Sequence, residues 1–494
     1  MAALGVADVR SVVDRVCARP DVLEACRNRD LGHVIRALYD AGLSQGRMAA
    51  LSGGGLTQGR VSEYMHGKRH AMKASLLDNF ATGLGFPAYA RRALGLAAEP
   101  PSAAVTPVTP GSTSLAAGLA FPDSPDDTTE TVTGLWRGDL EDPGEPQQRA
   151  IDPRVWGTAS LKWLVASPSS YDNDKMGRGG RVGLSDVQRF RATVGMFAQL
   201  DDQFGGGNAR QALIQYLATD GDRLLRGRFN NEVARELYYS VSEATLLAAW
   251  MTYDSIPASG LAQRYFVQAL ALAKAADTSN ARLLGASILD AMSHQATYTG
   301  RFTDAADLAR AARTGTIGLA TPTLTAHFHV MEARALARLG DAKACDRAMA
   351  EAIRVFERRN PQDDPEWIRY FDDTEMNAEL GHCLRDLGRT EDAAQHAKDG
   401  FIADPEADAF GRSDFFVAVV LADSHLTNGH VDKACDVALK ALKAGDQLRS
   451  ARCIGYLREF DKHLTRANSP TAAGFRETAS ESRLWRIATR SAAT

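Results

Sequence analysis

Apolar residues recur at i, i+3, i+4 spacing through Ala- and Leu-rich stretches from Asp186 to Leu464, and few segments alternate apolar with polar residues. The pattern predicts an all-α chain. Ahead of these stretches, residues 30–86 divide into short helices by their own punctuation. Asp30 can cap a helix carrying Val34, Ile35 and Leu38, ended by Gly42, and Ser44 a second with Met48 and Leu51 inward. Gly53, Gly54 and Gly55 form a turn. Thr57 caps a third helix with Val61, Tyr64 and Met65 inward, stopped by Gly67, and a fourth follows with Leu76, Leu77, Phe80 and Leu84.

Short helices around a small core, with a tight turn between the second and third, are the layout of a helix-turn-helix. In that layout the start of the third helix enters the major groove of double-stranded DNA. Gln58, Arg60, Ser62 and Glu63 are then exposed to bases, Thr57 caps the helix, and Gly59 allows close approach. Arginine pairs with guanine and glutamine with adenine through two hydrogen bonds at once. Lys68, Arg69 and Lys73, with Gln45 and Arg47 at the start of the second helix, suit phosphates.

The sequence here resembles the DNA-binding domain of XRE-type (lambda-repressor-like) regulators. The resemblance rests on LSQGRMAALSG, on LTQGRVSEYMHGKR with its Val61-Ser62 and Gly67-Lys68-Arg69, and on LLDNFATGLGFP. The Gly-rich turn is about two residues longer than that pattern has. The alternative is a helical interaction domain without DNA binding.

Charge and proline content divide the chain further. The whole has 494 residues and a formal charge of −4. Residues 1–96 carry +5, residues 97–150 carry −7 with 8 of the 18 prolines, and the remainder carries −2. The middle stretch reads as a flexible Pro-rich acidic linker. The expected organisation is a helix-turn-helix domain over 1–96, the linker over 97–150, a helical connecting region over 151–230, a helical repeat over 231–465 and a tail over 466–494. Near-neutral charge excludes a uniformly basic nucleic-acid coat, though not a local basic module. No apolar run reaches membrane-spanning length, no signal peptide is read at the start, and the six Cys form no CxxC pair, so a cytoplasmic, nucleoid-associated protein with reduced thiols is expected.

Four glycines mark the repeat: Gly300, Gly340, Gly388 and Gly429, spaced 40, 48 and 41 residues apart. Small residues stand five after each (Ala305, Cys345, Ala393, Ala434), twelve after (Ala312, Ala352, Gly400, Ala441) and seven before (Ser293, Ala333, Gly381, Ala422). Such positions let antiparallel helices approach closely. The register is similar to that of tetratricopeptide (TPR) repeats, and implies a TPR-like α-solenoid. The chain as a whole resembles a family of actinobacterial regulators that join an XRE-type head to a TPR body. AWMTYD, AMSHQATYTGR, MEARALARLGD, PEWIRYFDDTE and GHCLRDLG carry that likeness, and membership would imply control of development or antibiotic production.

No catalytic constellation, metal motif or cofactor loop stands out, and Gly205–Gly207 lacks the Lys-Ser/Thr of a phosphate loop and reads as a helix stop. In the TPR register, His294, Arg334, His382 and Asp423 face the concave groove, with Asp290, His327, Glu375 and Arg385 nearby. They are candidate contacts for a peptide or small-molecule ligand; the other reading is that they satisfy one another between helices. The expected function is a sequence-specific transcriptional regulator, not an enzyme, acting as a homodimer on palindromic half-sites. The rival is a TPR scaffold binding a protein partner, with the head as a docking or weak DNA-tethering module.

Overall fold

The computed structural model describes residues 6–51, 57–67, 76–77, 80–81, 84, 86–96, 117–141, 150–165, 179–207, 209–255, 260–399, 412–467 and 469–490. Among them every regular element is helical; the one strand-like feature is an isolated parallel bridge between Arg181 and Arg228. The chain divides into two compact units, 1–112 and 113–494.

The first unit contains α1 (Val6–Cys17), α2 (Pro20–Arg27), α3 (Leu31–Asp40), α4 (Gln45–Leu51), α5 (Gln58–Met65) and α6 (Ala88–Ala93). Local chemistry sets their ends. The Asp30 carboxylate accepts from the His33 amide at 3.1 Å, Ser44 Oγ from the Arg47 amide at 3.4 Å, and Thr57 Oγ1 from the Arg60 amide at 3.3 Å. Gly42 and Gly67 adopt φ of +99° and +71° just past α3 and α5. Val34, Ile35, Leu38, Met48, Val61, Leu77, Phe80 and Leu84 share one core. On α3, a Cβ at Gly32 would stand 2.5 Å from the Tyr64 carbonyl oxygen, so this glycine permits the close crossing of α3 and α5.

The second unit begins with a 3-10 turn (Ala117–Leu119), α7 (Pro125–Glu141), α8 (Pro153–Leu164), α9 (Leu184–Phe204), α10 (Arg210–Tyr216) and α11 (Asp222–Leu225). Long helices follow: α12 (Asn231–Ser255), α13 (Gly260–Ala276), α14 (Ser279–Tyr298), α15 (Phe302–Gly315), α16 (Pro322–Leu339) and α17 (Ala342–Phe356). Then come α18 (Asp373–Asp386), α19 (Thr390–Asp399), α20 (Arg412–Thr427), α21 (Val431–Gly445), α22 (Ala451–Ala467), α23 (Pro470–Ala479) and α24 (Arg483–Thr489). From α12 to α17, and again from α18 to α21, each helix packs on the next. The alternate helices α14, α16, α18, α20 and α22 also touch in sequence.

The marker glycines terminate α14, α16, α18 and α20 with φ of +77°, +82°, +75° and +80°. After each, the next amide reaches back to a carbonyl five residues earlier: Arg301 to Ala296 (2.8 Å), Asp341 to Leu336 (3.0 Å), Arg389 to Leu384 (2.9 Å) and His430 to His425 (2.9 Å). This closure satisfies carbonyls at the helix end and needs a left-handed residue, which glycine adopts without strain. The small residues do what their offsets predict. Ala305, Ala333, Cys345, Ala393, Ala422 and Ala434 are fully buried, and a Cβ at Gly381 would sit 3.2 Å from the Ala397 amide. Gly400 lies outside the described residues.

The linker expectation over 97–150 needs correction. Residues 97–116 and 142–149 lie outside the described residues, but 117–141 are part of the second unit's core. Val132, Leu135 and Trp136 form the apolar stripe of α7, and each is buried. Tyr265 on α13 donates to Asp139 at 2.6 Å, and Gln268 to the Gly118 and Ala120 carbonyls at 2.8 and 2.7 Å. Gln263 exchanges two hydrogen bonds with the Asp152 backbone. Covered on this side as well as by α12 and α14, α13 is buried on nearly every face, and its buried Gln263 and Gln268 are hydrogen-bonded. Segment-wide composition hid this helix because flanking prolines and acids diluted one apolar stripe. Within the tail segment, residues 469–490 form two helices in which Phe475 and Trp485 are buried, and Asp446 accepts from Ser482 Oγ at 3.0 Å.

Candidate functional site

In the first unit, α5 rests on α3 and α4 through Val61 and Tyr64, leaving its N-terminal turn outward. Thr57, Gln58, Gly59 and Arg60 are exposed, and nothing lies within 4 Å of where a Gly59 Cβ would be. Among the described residues no carboxylate pairs with Arg60. Ser62 and Glu63 are half-buried, and Ser62 Oγ lies 3.4 Å from His66 Nδ1. Gln45 and Arg47, also half-buried, start α4; Gln45 Nε2 donates to Met65 Sδ at 3.6 Å, tying α4 to the end of α5. Lys68, Arg69 and Lys73 lie outside the described residues, as does the turn Gly53–Gly55. An exposed helix N-terminus carrying Gln and Arg offers groups able to form two hydrogen bonds at once, together with the positive end of a helix dipole.

The residues expected in a groove of the second unit come together as a chain of buried polar contacts. His327 Nδ1 lies 3.0 Å from Asp290, with Tyr370 Oη 3.4 Å from its other nitrogen. Arg334 donates to Glu379 at 2.9 Å and, at 3.5 Å, to Tyr456 Oη. Arg385 pairs with Asp386 at 2.7 Å, and Asp423 with His463 at 2.5 Å. Tyr253 Oη is 3.0 Å from His294 Nδ1. His382 is buried with Nδ1 unpartnered and its ring edge against Tyr456. Glu375 stands close enough to Glu379 and His327 to feel both charges.

Burial and these neighbours set the ionisation. Burial pushes Glu375 up to about 7, and the Glu379 carboxylate adds to it. Burial also raises Asp290 despite the pull of His327; His327, which burial alone would lower, is held above its ordinary value by Asp290. His294 and His382 fall well below theirs, from burial first and then from the Arg334 charge. Most of the predicted groove residues thus have internal partners. That arrangement suits the second sequence reading, groups satisfying one another, at every predicted position except His382 and Glu375.

Sequence reasoning missed the contacts that join the two ends of the second unit. Asp254, fully buried at the end of α12, accepts from Arg452 Nε and Ser450 Oγ at 2.8 Å each, and from Arg412 at 3.3 Å. Arg412 also reaches Asp201 on α9 at 3.3 Å. Burial alone would raise Asp254, but Arg452 and Arg412 outweigh it and hold the carboxyl below the ordinary range. The Gly205–Gly207 run does stop α9, with Gly205 at φ +82°. It also lets two backbones meet: the Arg449 amide donates to the Phe204 carbonyl at 3.0 Å, and a Cβ at Gly206 would stand 2.6 Å from the Met251 carbonyl oxygen. The Arg452 guanidinium lies over the rings of Tyr253 (5.0 Å) and Phe416 (4.9 Å). The available signal was the spacing of Arg452, Gly455, Tyr456 and Glu459, one face of a helix that carries both charge and an aromatic ring. All six cysteines are free and buried, with Cys17 pushed up to about 12 and Cys26 to about 11 by burial. Among the described residues no cluster of His, Cys, Asp or Glu has metal-binding geometry, and no helix is long and apolar enough to cross a membrane. No protein-family model matches the chain, and no curated protein does.

Proposed function

We propose that the protein is a sequence-specific DNA-binding regulator whose first unit is a helix-turn-helix of XRE type and whose second unit is a TPR-like solenoid that pairs two copies and carries a ligand. The observation that carries this reading is the outward N-terminal turn of α5. Thr57 fixes it, Gln58, Gly59 and Arg60 are exposed on it, and α3 and α4 support it from behind. The four left-handed glycines ending alternate helices support the solenoid half.

Selection of bound sequences from random double-stranded oligonucleotides by the full chain tests the reading. The expected result is two half-sites in inverted orientation, about one helical turn or a multiple apart. Enrichment of no sequence overturns it and favours the scaffold reading, in which the second unit binds a protein partner.

A further inference from the structure

Side chains of α14, α16, α18 and α22 line an open-mouthed cavity of about 340 Å³. Six cations line it: Arg334 and Arg338 from α16, Arg385 from α18, and Arg452, Arg458 and Lys462 from α22. Only two acids, Asp386 and Glu459, share the wall. Behind it, Glu379 and Asp254 each take one side of Arg334 and Arg452. The wall itself thus carries six cations against two acids, and Asp423 stands near Arg385 behind it. Several donors remain over, because each guanidinium has five N–H groups and these contacts use one or two. Lys462 is exposed, with no carboxylate partner among the described residues. Tyr298, Tyr456 and Met331 add aromatic and apolar surface beside the cations.

We infer that this cavity binds a compact small molecule bearing phosphate or carboxylate groups, and that the bound anion ties α22 to α16 and α18. Planar guanidinium forks match the oxygen geometry of both groups. The volume sits at the low end of small-molecule pockets, about 300–1,000 Å³, and is too small for an extended peptide of several residues. The electrostatics agree: His294 on the wall and His382 behind it are both driven toward neutrality, burial acting first and the arginines second. An anion here holds the returning helix against the middle of the solenoid, as the Asp254 cluster holds it against α12. The inference rests on the regulator reading only for its consequence at DNA, since binding to the second unit is independent of the first.

Titration calorimetry of the full chain, at constant ionic strength set with potassium chloride, tests it with pyrophosphate and citrate as separate probes. Saturable binding of one anion per chain is expected, with at least one probe, and the stronger probe identifies phosphate or carboxylate as the preferred group. Arg338→Ala/Lys462→Ala, at two exposed positions, should weaken it at least tenfold with the thermal unfolding midpoint of the unliganded protein little changed. Lys433→Ala on α21, outside the cavity, should leave binding unchanged. No saturable binding of either probe, or equal binding by the double variant, overturns the inference. A positive titration from a chain that selects no DNA sequence would sink the regulator reading and leave the anion site standing.

Discussion

Arg60 of the first unit and four arginines of the second hold their charge in opposite settings. On the first, Arg60 stands on an exposed helix end with no carboxylate against it among the described residues. In the second, Arg452, Arg412, Arg334 and Arg385 are almost wholly buried, each against at least one acid. An exposed charge adds little to folding and stays available to a partner. A buried one forces its neighbours into place and leaves a costly orphan when a partner is removed. Removing one of these buried arginines should therefore register as stability, and removing Arg60 as binding.

The largest effect is expected at Arg452→Ala. It strips a guanidinium from Asp254 and from the rings of Tyr253 and Phe416. Breaking a buried pair in this way costs about 3–5 kcal/mol. Denaturant unfolding of the full chain should show the loss, with a transition belonging to the second unit. A cost under about 1 kcal/mol would mean that the junction between α12 and α22 contributes little.

Glycine substitutions sharpen the contrast. A Cβ at Gly315 would lie 2.2 Å from the Trp163 ring, and one at Gly285 2.3 Å from its Nε1, so α8 docks through the absence of two side chains. Gly315→Ala should cost about 1–3 kcal/mol by overpacking, and tryptophan fluorescence should report the displaced ring. Gly59→Ala, with open space around it, should instead leave stability equal or slightly higher.

A pH comparison comes next in size. Glu375, with a folded-state value near 7 against 4.5 when free, favours the fold while protonated. That contribution is full below about pH 4.5 and is lost as the pH rises through about 7. Glu375→Gln stays neutral, so its stability relative to the parent should rise between pH 5 and 8, by on the order of 2 kcal/mol. A pH-independent difference between the two would show that Glu375 is ionised throughout.

What the sequence made legible follows the range of the interactions. Helix caps at Asp30 and Thr57 and the turn glycines at 300, 340, 388 and 429 act within five residues, and the pattern exposes them. The small residues packing helix on helix follow from the same register. Asp254 with Arg412 and Arg452 joins positions 158 and 198 residues apart, and no local pattern announces such a partner. α7 was hidden for a different reason: three buried residues decide its fate, whereas composition averages over fifty. Whether the groove candidates face a ligand or each other depends on partners such as Glu379 and Tyr456, which reach Arg334 from other helices 45 and 122 residues away.

The smallest effect on stability, and the one that most directly separates the units, belongs to Arg60→Ala. The side chain is exposed, so its loss should change unfolding by less than about 0.5 kcal/mol. Yet if Arg60 reads a base, the variant loses about 1–3 kcal/mol of discrimination at one position of each half-site and keeps its salt dependence. Thr57→Ala is the matched control. It removes the cap on the Arg60 amide, so it should cost about 1 kcal/mol of stability in the first unit and weaken all DNA sequences alike. Competition binding against a panel of single-base variants distinguishes the two. A flattened preference for Arg60→Ala beside a uniform loss for Thr57→Ala would assign reading to one side chain and support to the other. Equal, sequence-independent losses in both would reduce Arg60 to a phosphate contact and move the reading role to Gln58.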